Sequence, residues 1–384
     1  MDFEQIFSQF KEQNISGRYI TLNHIAPILE RLSAKFQVAI IGKSVLEKPI
    51  YRCELGSGKI RILIWSQMHG NESTTTKAIL DLFKLLESDS VLATNLLQRF
   101  TFCIIPILNP DGAVAYTRVN ANGIDLNRDA QDLSQPESRV LRETYHQFQP
   151  DFCFNMHDQR TIFGVGDTNL PATVSFLAPS YNEERSTNAV REKAVNVIVA
   201  MNRTLQQFIP GQVGRFDDSF NLNCVGDTFQ HLKTPTILFE AGHFQGDYER
   251  EATRKFVFFA LLSAFESIYE NVIVDNVFKE YVNIPQNNPR FFDFVYKNIK
   301  INYDSSDKFI NFAAQFNEEL IDNKIFFNAF VVKIGDLEEN FGHFEFEGDG
   351  QLYKDSAENI PKLGQKADFY IGESIQILNG AVQS

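Results

Sequence analysis

The chain has 384 residues, of which 43% are hydrophobic and 22% are charged, as expected for a globular protein with a large buried core. Its 36 basic and 49 acidic residues give a formal net charge of −13, which argues against nucleic acid or an anionic membrane as a partner. The first residues have neither a basic start nor an apolar core, so a cleaved secretion signal is not expected. We expect a cytoplasmic protein in which four widely spaced cysteines stay free thiols, namely Cys53, Cys103, Cys153 and Cys224.

The N-terminal part of the chain is predicted to be helical to about residue 35, because apolar residues recur there at helical spacing. Short strands are predicted over residues 36–41 and 50–54. The apolar run 60–65 predicts a buried strand, and apolar residues at helical spacing over 74–86 predict the helix that follows it.

A polar turn between this strand and this helix carries His69 and Glu72. At this spacing, a turn that enters a helix can aim an imidazole and a carboxylate at one point. Two such ligands and a distant third, with one position left open to water, make a catalytic zinc site. Taken alone, the pair also fits a histidine in a polar loop and a glutamate favoured by the helix dipole.

Three further apolar runs end in polar residues. Residues 100–108 lead into Asn109, residues 151–156 lead into His157, and a run that ends at Phe239 leads into Glu240. Helices are predicted between or after these strands, over residues 136–148, 188–208 and 248–269.

Strands that alternate with helices favour an α/β fold, a mixed and mostly parallel central sheet with helices on both faces. Ligands of such sheets bind at the carboxyl ends of the strands, which is where these polar residues emerge. From about residue 285 the pattern changes to short apolar runs divided by turns, two of them predicted near 304–306 and 348–350. We therefore expect a catalytic domain over residues 1–284 and a small β-rich domain over residues 285–384.

Five motifs in this order resemble the M14 zinc carboxypeptidases. They are HGNE from His69, NPDG from Asn109, the loop RVNANGIDLNR from Arg118, a strand ending in His157, and a strand ending in Glu-Ala-Gly from Glu240. The resemblance covers about residues 36–270. It implies a zinc carboxypeptidase fold and a hydrolase that cleaves an amide bond next to a free carboxylate, by means of a metal-activated water.

The resemblance also implies roles for single residues. His69, Glu72 and His157 would bind one zinc ion per chain, leaving the metal its Lewis acidity. Glu240 would be the general base that takes a proton from the attacking water and returns it to the leaving amine.

Four residues of the RVNANGIDLNR loop match family positions as well. Arg118 would stabilise the oxyanion that forms on the scissile carbonyl. Asn127 and Arg128 would hold the terminal carboxylate of the substrate, since a guanidinium fork suits that planar anion. Asp125 would orient a zinc-bound histidine, which we expect to be His69.

Two alternatives remain open at this point. Deacylases of N-acyl amino acids, such as aspartoacylase and succinylglutamate desuccinylase, share an HGNE-like opening, a DLNR loop and a C-terminal β domain. A non-catalytic zinc- or peptide-binding protein on this fold would lack a ligand or the general base, and all of these are present here. The expected partner is a peptide or an N-acyl amino acid with a free carboxylate, and the sequence leaves the oligomeric state open.

Overall fold

A computed structural model describes residues 1–303, 306–356 and 359–383. The chain forms two compact units: unit 1 comprises Met1–Gln159 and Ala172–Asn287, and unit 2 comprises Arg160–Pro171 and Asn288–Ser384. The segment 160–171, which the sequence assigned to the first domain, belongs to unit 2. The division into a catalytic and a β-rich domain at residue 284 stays a prediction.

The helices all lie in unit 1. They are α1 (Phe3–Phe10), α2 (Leu22–Ser33), α3 (Thr74–Glu87), α4 (Val91–Arg99), α5 (Pro110–Ala115), α6 (Pro136–Phe148), α7 (Ala189–Leu205), α8 (Val225–His231), α9 (Glu251–Tyr269) and α10 (Val277–Val282), with a 3₁₀ turn at Leu126–Arg128. No helix within the described ranges is long and apolar enough to cross a membrane.

The strands of both units are numbered along the chain. They are β1 (Gln37–Lys43), β2 (Pro49–Gly56), β3 (Ile60–Ser66), β4 (Phe100–Ile105), β5 (Phe152–Asp158), β6 (Gly164–Val165), β7 (Val174–Leu177), β8 (Val213–Arg215), β9 (Thr236–Ala241), β10 (Asn287–Asn288), β11 (Phe291–Tyr303), β12 (Ser306–Ile321), β13 (Lys324–Ile334), β14 (Phe341–Glu347), β15 (Tyr353–Lys354), β16 (Phe369–Ile371), β17 (Ile375–Leu378) and β18 (Ala381–Val382).

Unit 1 is built on an eight-stranded sheet in the order β1-β2-β4-β3-β5-β9-β7-β8. The central strands β4, β3, β5 and β9 run parallel to one another, and β8 runs parallel to β7. The pairs β1–β2, β2–β4 and β7–β9 are antiparallel. Successive side chains of a strand point to opposite faces, so Ile62 and Ile64 join the apolar layer of α3, α7 and α9. Leu63 and Trp65 join the layer of α6 and α8. The predicted mixed, mostly parallel sheet covered on both faces is therefore confirmed.

Several local predictions for unit 1 were wrong. The NPDG motif is a strong turn signal in the sequence, but in the structure it opens the short helix α5. Pro110 occupies the first helical position, and the Asn109 side chain accepts a hydrogen bond from the Gly112 amide at 2.8 Å. Residues 11–21 are not helical, and the polar stretch 211–227, predicted to be a loop, contains β8 and the start of α8.

Unit 2 contains two four-stranded sheets, in the orders β13-β12-β11-β14 and β15-β16-β17-β18. Buried aromatic rings such as Tyr296, Phe312 and Phe369 belong to one apolar cluster of this unit, with ring centroids 4.7–5.4 Å apart. The β-rich character predicted for the C-terminal part is confirmed, although β11 and β12 are longer than the runs that indicated them. Residues 304 and 305 of one predicted turn lie outside the described residues.

Candidate active site

The candidate site lies at the carboxyl ends of three neighbouring parallel strands. His69 follows β3, His157 lies near the end of β5, and Glu240 lies near the end of β9. In the β5–β9 ladder, His157 and Glu240 stand directly opposite each other. The strand order thus brings together residues that are far apart in the sequence.

Close backbone packing holds the turn that carries the first two candidate ligands. Gln67 has a positive φ of 45°, and its side-chain amide donates hydrogen bonds to the carbonyls of Ile20 and Gly70 at 3.0 and 2.9 Å. Gly70 packs so tightly against the backbone of Gly112 that a β-carbon would lie 1.9 Å from its carbonyl carbon. The NPDG motif therefore supports the HGNE turn, which explains why a glycine is needed at position 70.

Three side chains of this site converge. His69 Nδ1 lies 2.8 Å from Glu72 Oε1, His157 Nδ1 lies 2.8 Å from Glu72 Oε2, and the two Nδ1 atoms are 3.1 Å apart. All three residues are buried, and their ligand atoms lie within 4.8 Å of one another. Two nitrogens and a carboxylate are the donor set of a catalytic zinc site.

Hydrogen bonding fixes the lone pair of His69 towards this centre. Asp125 Oδ1 lies 2.9 Å from His69 Nε2, the contact expected for it. Burial raises the pKa of Asp125, but His69 and Arg118 outweigh burial, so the pKa is well below its usual range. An ionised carboxylate only accepts, so Nε2 carries the proton of a neutral His69, and its Nδ1 faces Glu72 with a lone pair. Lone pairs that face each other at 2.8 Å are compatible with a shared proton or a bound cation, and this set of donors fits a zinc ion.

The protonation states agree with metal binding. Burial acts to lower the pKa of His69, but Glu72 and Asp125 raise it above its usual value. Burial lowers the pKa of His157, whose Nε2 has no hydrogen-bond partner among the described residues. Burial acts to raise the pKa of Glu72, but the two histidines hold it well below its usual range. A metal ion would therefore take the place of a proton shared within the cluster.

Glu240 lies half-buried beside this cluster. Burial raises its pKa well above the usual value, and the charges of Glu72 and Asp158 add to the rise, whereas Arg118 and Arg250 oppose it. A carboxyl in such surroundings holds protons readily, which suits a group that must take one and give it back.

Arg118 has a side chain that is 48% exposed and reaches the cluster from the loop that follows α5. Its Nε and Nη2 atoms donate to Asp125 Oδ2 at 3.2 and 3.0 Å, and its Nη1 donates to Glu72 Oε1 at 3.3 Å. The same aspartate thus holds both His69 and Arg118.

Asn127 and Arg128 lie in the 3₁₀ turn that follows Asp125. The backbone amide of Asn127 donates a hydrogen bond to Asp125 Oδ1 at 2.9 Å. The side-chain oxygen of Asn127 accepts from the backbone amide of Val225 at 3.2 Å. Arg128 is exposed, with its Nη1 donating to the Asn127 carbonyl at 3.1 Å. The loop is therefore anchored to α8 while a guanidinium stays accessible to solvent.

Two residues of this region carried no recognisable signal in the sequence. Asp158 accepts from the amides of Thr74 and Thr75 at 2.9 and 3.3 Å and so caps the N-terminus of α3, behind the HGNE turn. Arg250 is buried and donates to the carbonyls of Gln159 and Ala241. Both contacts join segments that are distant in the sequence, so no local pattern could have indicated them.

Comparison with known proteins supports the resemblance seen in the sequence. A sequence model of the zinc carboxypeptidase family, Peptidase M14, matches residues 23–203, a range that contains His69, Glu72 and His157 and ends before Glu240. The predicted resemblance to the M14 zinc carboxypeptidases is thereby confirmed.

Curated relatives match this chain only in part. Carboxypeptidase 2 of Trichophyton tonsurans is 31% identical over 116 residues, 30% of this chain and 20% of that protein. Carboxypeptidase 2 of Trichophyton rubrum is 30% identical over 102 residues, 27% of this chain and 19% of that protein. The match thus spans about a fifth of the length of these relatives.

Solved structures of carboxypeptidases share the fold of this chain. A metallo-carboxypeptidase from Pseudomonas aeruginosa has a TM-score of 0.53 at 16% identity, covering 64% of this chain and 68% of that one. A metallo-carboxypeptidase from Burkholderia cenocepacia has a TM-score of 0.50 at 20% identity, covering 64% and 69%.

Proposed function

We propose that this protein is a zinc-dependent metallocarboxypeptidase, a hydrolase that cleaves an amide bond next to a free carboxylate. One observation carries the proposal: His69, Glu72 and His157 converge within 4.8 Å, and Glu240 stands beside His157 in the sheet. The partial match to carboxypeptidases supports it from outside the structure.

The proposed reaction needs residues that hold the metal and a residue that transfers protons. His69, Glu72 and His157 would hold the zinc ion, which when bound supplies Lewis acidity that polarises a carbonyl and makes water more acidic. Glu240 would take the proton of the attacking water and pass it to the leaving amine. Holding the proton on this half-buried carboxyl costs little, because its desolvation and two nearby acids already favour the protonated form.

The cationic residues would bind the anionic parts of the substrate. Arg118 lies where a guanidinium can meet negative charge developing beside the cluster, since it already contacts Glu72 at 3.3 Å. Arg128 and the side-chain amide of Asn127 would hold the terminal carboxylate. Anchoring of Asn127 to α8 through Val225 would keep this carboxylate at a fixed distance from the zinc ligands.

Metal analysis combined with hydrolysis of a mixed library of peptides and N-acyl amino acids tests the proposal. We expect one zinc per chain and chelator-sensitive release of C-terminal residues. Purified protein without stoichiometric metal after zinc loading, or zinc-loaded protein that hydrolyses nothing in the library, would contradict it.

Glu240→Gln tests the general base separately. We expect kcat to fall by about 10²–10⁴, the usual contribution of general base catalysis, while zinc content stays at the wild-type level. Glu30→Gln, at an exposed glutamate of α2, is the matched control and should leave both quantities unchanged. A Glu240→Gln protein with wild-type kcat would remove Glu240 from the mechanism.

A deacylase of N-acyl amino acids is a second candidate, because the chain has a separate β-rich unit, a feature that this class shares. Zinc-dependent cleavage of N-acyl amino acids alone would favour it. Binding of peptides without hydrolysis by either wild-type or Glu240→Gln protein would favour a non-catalytic binding protein. A cytoplasmic location is proposed as well, supported by the four cysteines, all of which are free thiols.

A further inference from the structure

Arg250 adopts a backbone conformation that few arginines adopt. Its φ is +59°, in the left-handed region, and it immediately precedes α9. Asp247, and not Arg250, caps this helix, because its carboxylate accepts from the amides of Glu251 and Ala252 at 3.0 and 2.6 Å. The left-handed region is unfavourable for a residue with a β-carbon, and such strain persists only where the surrounding structure enforces it. We therefore expect contacts of the Arg250 side chain to hold this backbone conformation.

The guanidinium of Arg250 bridges two neighbouring strand ends. Its Nη2 donates to the carbonyl of Gln159 at 2.7 Å, and its Nη1 donates to the carbonyl of Ala241. Gln159 directly follows β5, and Ala241 is the last residue of β9. Arg250 is only 1% exposed, so its charged guanidinium makes these two contacts inside the protein. Burial of a charge is costly unless the charged group is hydrogen-bonded.

These strand ends carry two candidate active-site residues. Gln159 lies two residues after His157, and Ala241 directly follows Glu240. His157 and Glu240 face each other in the β5–β9 ladder, whose last hydrogen bond joins the Gln159 amide to the Ala241 carbonyl at 2.9 Å. Arg250 therefore contacts both strands at the end of the ladder that sets the distance between a zinc ligand and the general base.

We infer that Arg250 is a positioning residue whose guanidinium ties the ends of β5 and β9 together and so fixes the spacing of His157 and Glu240. A displacement of about 1 Å at a catalytic group can cost about a hundredfold in rate. A lysine cannot reproduce this bridge, because its ammonium is a single point charge and not a planar fork with two separate nitrogens.

The experiment compares Arg250→Gly with Arg250→Lys. Glycine adopts a φ of +59° without strain and leaves a cavity of guanidinium size, so added guanidinium ion can occupy it. Lysine fills that cavity. Arg203→Ala removes an exposed arginine of α7, which is paired with Glu280, and serves as the control. The readouts are kcat and KM for zinc-loaded protein, and amide hydrogen exchange at the ends of β5 and β9, each with and without guanidinium chloride below the unfolding transition.

We expect kcat of Arg250→Gly to fall by about a hundredfold with little change in KM, and its strand-end amides to exchange faster. Guanidinium should restore part of the rate and slow the exchange in Arg250→Gly, with no such effect in Arg250→Lys or Arg203→Ala. A folded Arg250→Gly protein with wild-type kcat and exchange, or with losses that guanidinium does not reverse, would overturn the inference.

Two further outcomes are also decisive. If Arg250→Gly does not fold, the test rests on Arg250→Lys. A wild-type kcat and wild-type hydrogen exchange in Arg250→Lys would overturn the inference. A lower kcat together with faster exchange of the strand-end amides in Arg250→Lys would support it. The kcat readout rests on the proposed function, whereas hydrogen exchange does not. Wild-type protein without hydrolytic activity would therefore count against the carboxypeptidase assignment, while the exchange data would still support or overturn the role of Arg250.

Discussion

Asp125 links three parts of the candidate site. It accepts from His69 Nε2, from the guanidinium of Arg118 and from the amide of Asn127. A candidate zinc ligand, the proposed oxyanion-stabilising arginine and the turn proposed to bind the substrate carboxylate thus depend on one carboxylate. Such a partner fixes the tautomer of a ligating histidine and keeps its lone pair on the metal side.

Asp125→Asn should therefore weaken zinc binding by about 10–100-fold, the usual cost of removing the partner of a ligating histidine. The amide is close in shape to the carboxylate but has lost the charge that holds His69 and Arg118. Competition with a chelating dye measures the dissociation constant, and Asp132→Asn, at an exposed aspartate, is the control. An unchanged dissociation constant would mean that His69 is oriented by other contacts.

At the scale of elements, helices α3 and α9 are joined by an ion pair inside the protein. Arg254 donates to both oxygens of Asp81 at 2.5 and 2.7 Å, and neither side chain is exposed. Asp81 also accepts from the amide of Glu12 at 2.7 Å, so the pair fixes the N-terminal segment as well. Helix α3 begins directly after the HGNE turn, and the pair therefore lies behind the candidate site rather than in it.

Removing Asp81 leaves the buried Arg254 with Glu251, at 3.0 Å, as its remaining ion-pair partner. Asp81→Asn should reduce the free energy of unfolding by about 3 kcal/mol, the low end of the range for breaking a buried ion pair, as measured by urea denaturation. Asp81→Leu combined with Arg254→Met should lose less than the sum of the two single variants, with a coupling of about 0.5–3 kcal/mol. Strictly additive losses would show that each residue is held by its backbone contacts and not by the other.

At the scale of the whole molecule, binding of the proposed metal ion would be linked to folding. The three candidate ligands come from positions 69, 72 and 157, so they meet only in the folded sheet. An ion that binds the folded chain and not the unfolded chain stabilises it by an amount set by its concentration.

Zinc at about one hundred times its dissociation constant should add about 2.7 kcal/mol to the stability of the folded chain, and chelation should remove this gain. Calorimetry would detect it as a midpoint temperature several degrees higher with zinc than with chelator. His69→Ala should show the same midpoint under both conditions, since it lacks a ligand. A wild-type midpoint temperature that is the same with zinc and with chelator would argue against a metal at this site.

The sequence by itself was sufficient to predict the α/β class and the family resemblance. Alternating apolar runs and helical periodicities are local properties of the chain, and so are the spacing of His69 and Glu72 and the strand ends at His157 and Glu240. The helix predicted over residues 136–148 has the same bounds in the structure. Only local spacing was needed for these predictions.

The tertiary structure alone decided which distant residues support the site. Arg250 meets the carbonyl of Gln159 across 91 positions, and Asp158 meets the amide of Thr74 across 84. The segment 160–171, which directly follows His157 and its neighbours, joins unit 2 although its sequence gave no sign of a boundary. Contacts of this kind depend on strand order and on the packing of helices over the sheet. No short stretch of sequence encodes them, because each partner has an ordinary local context.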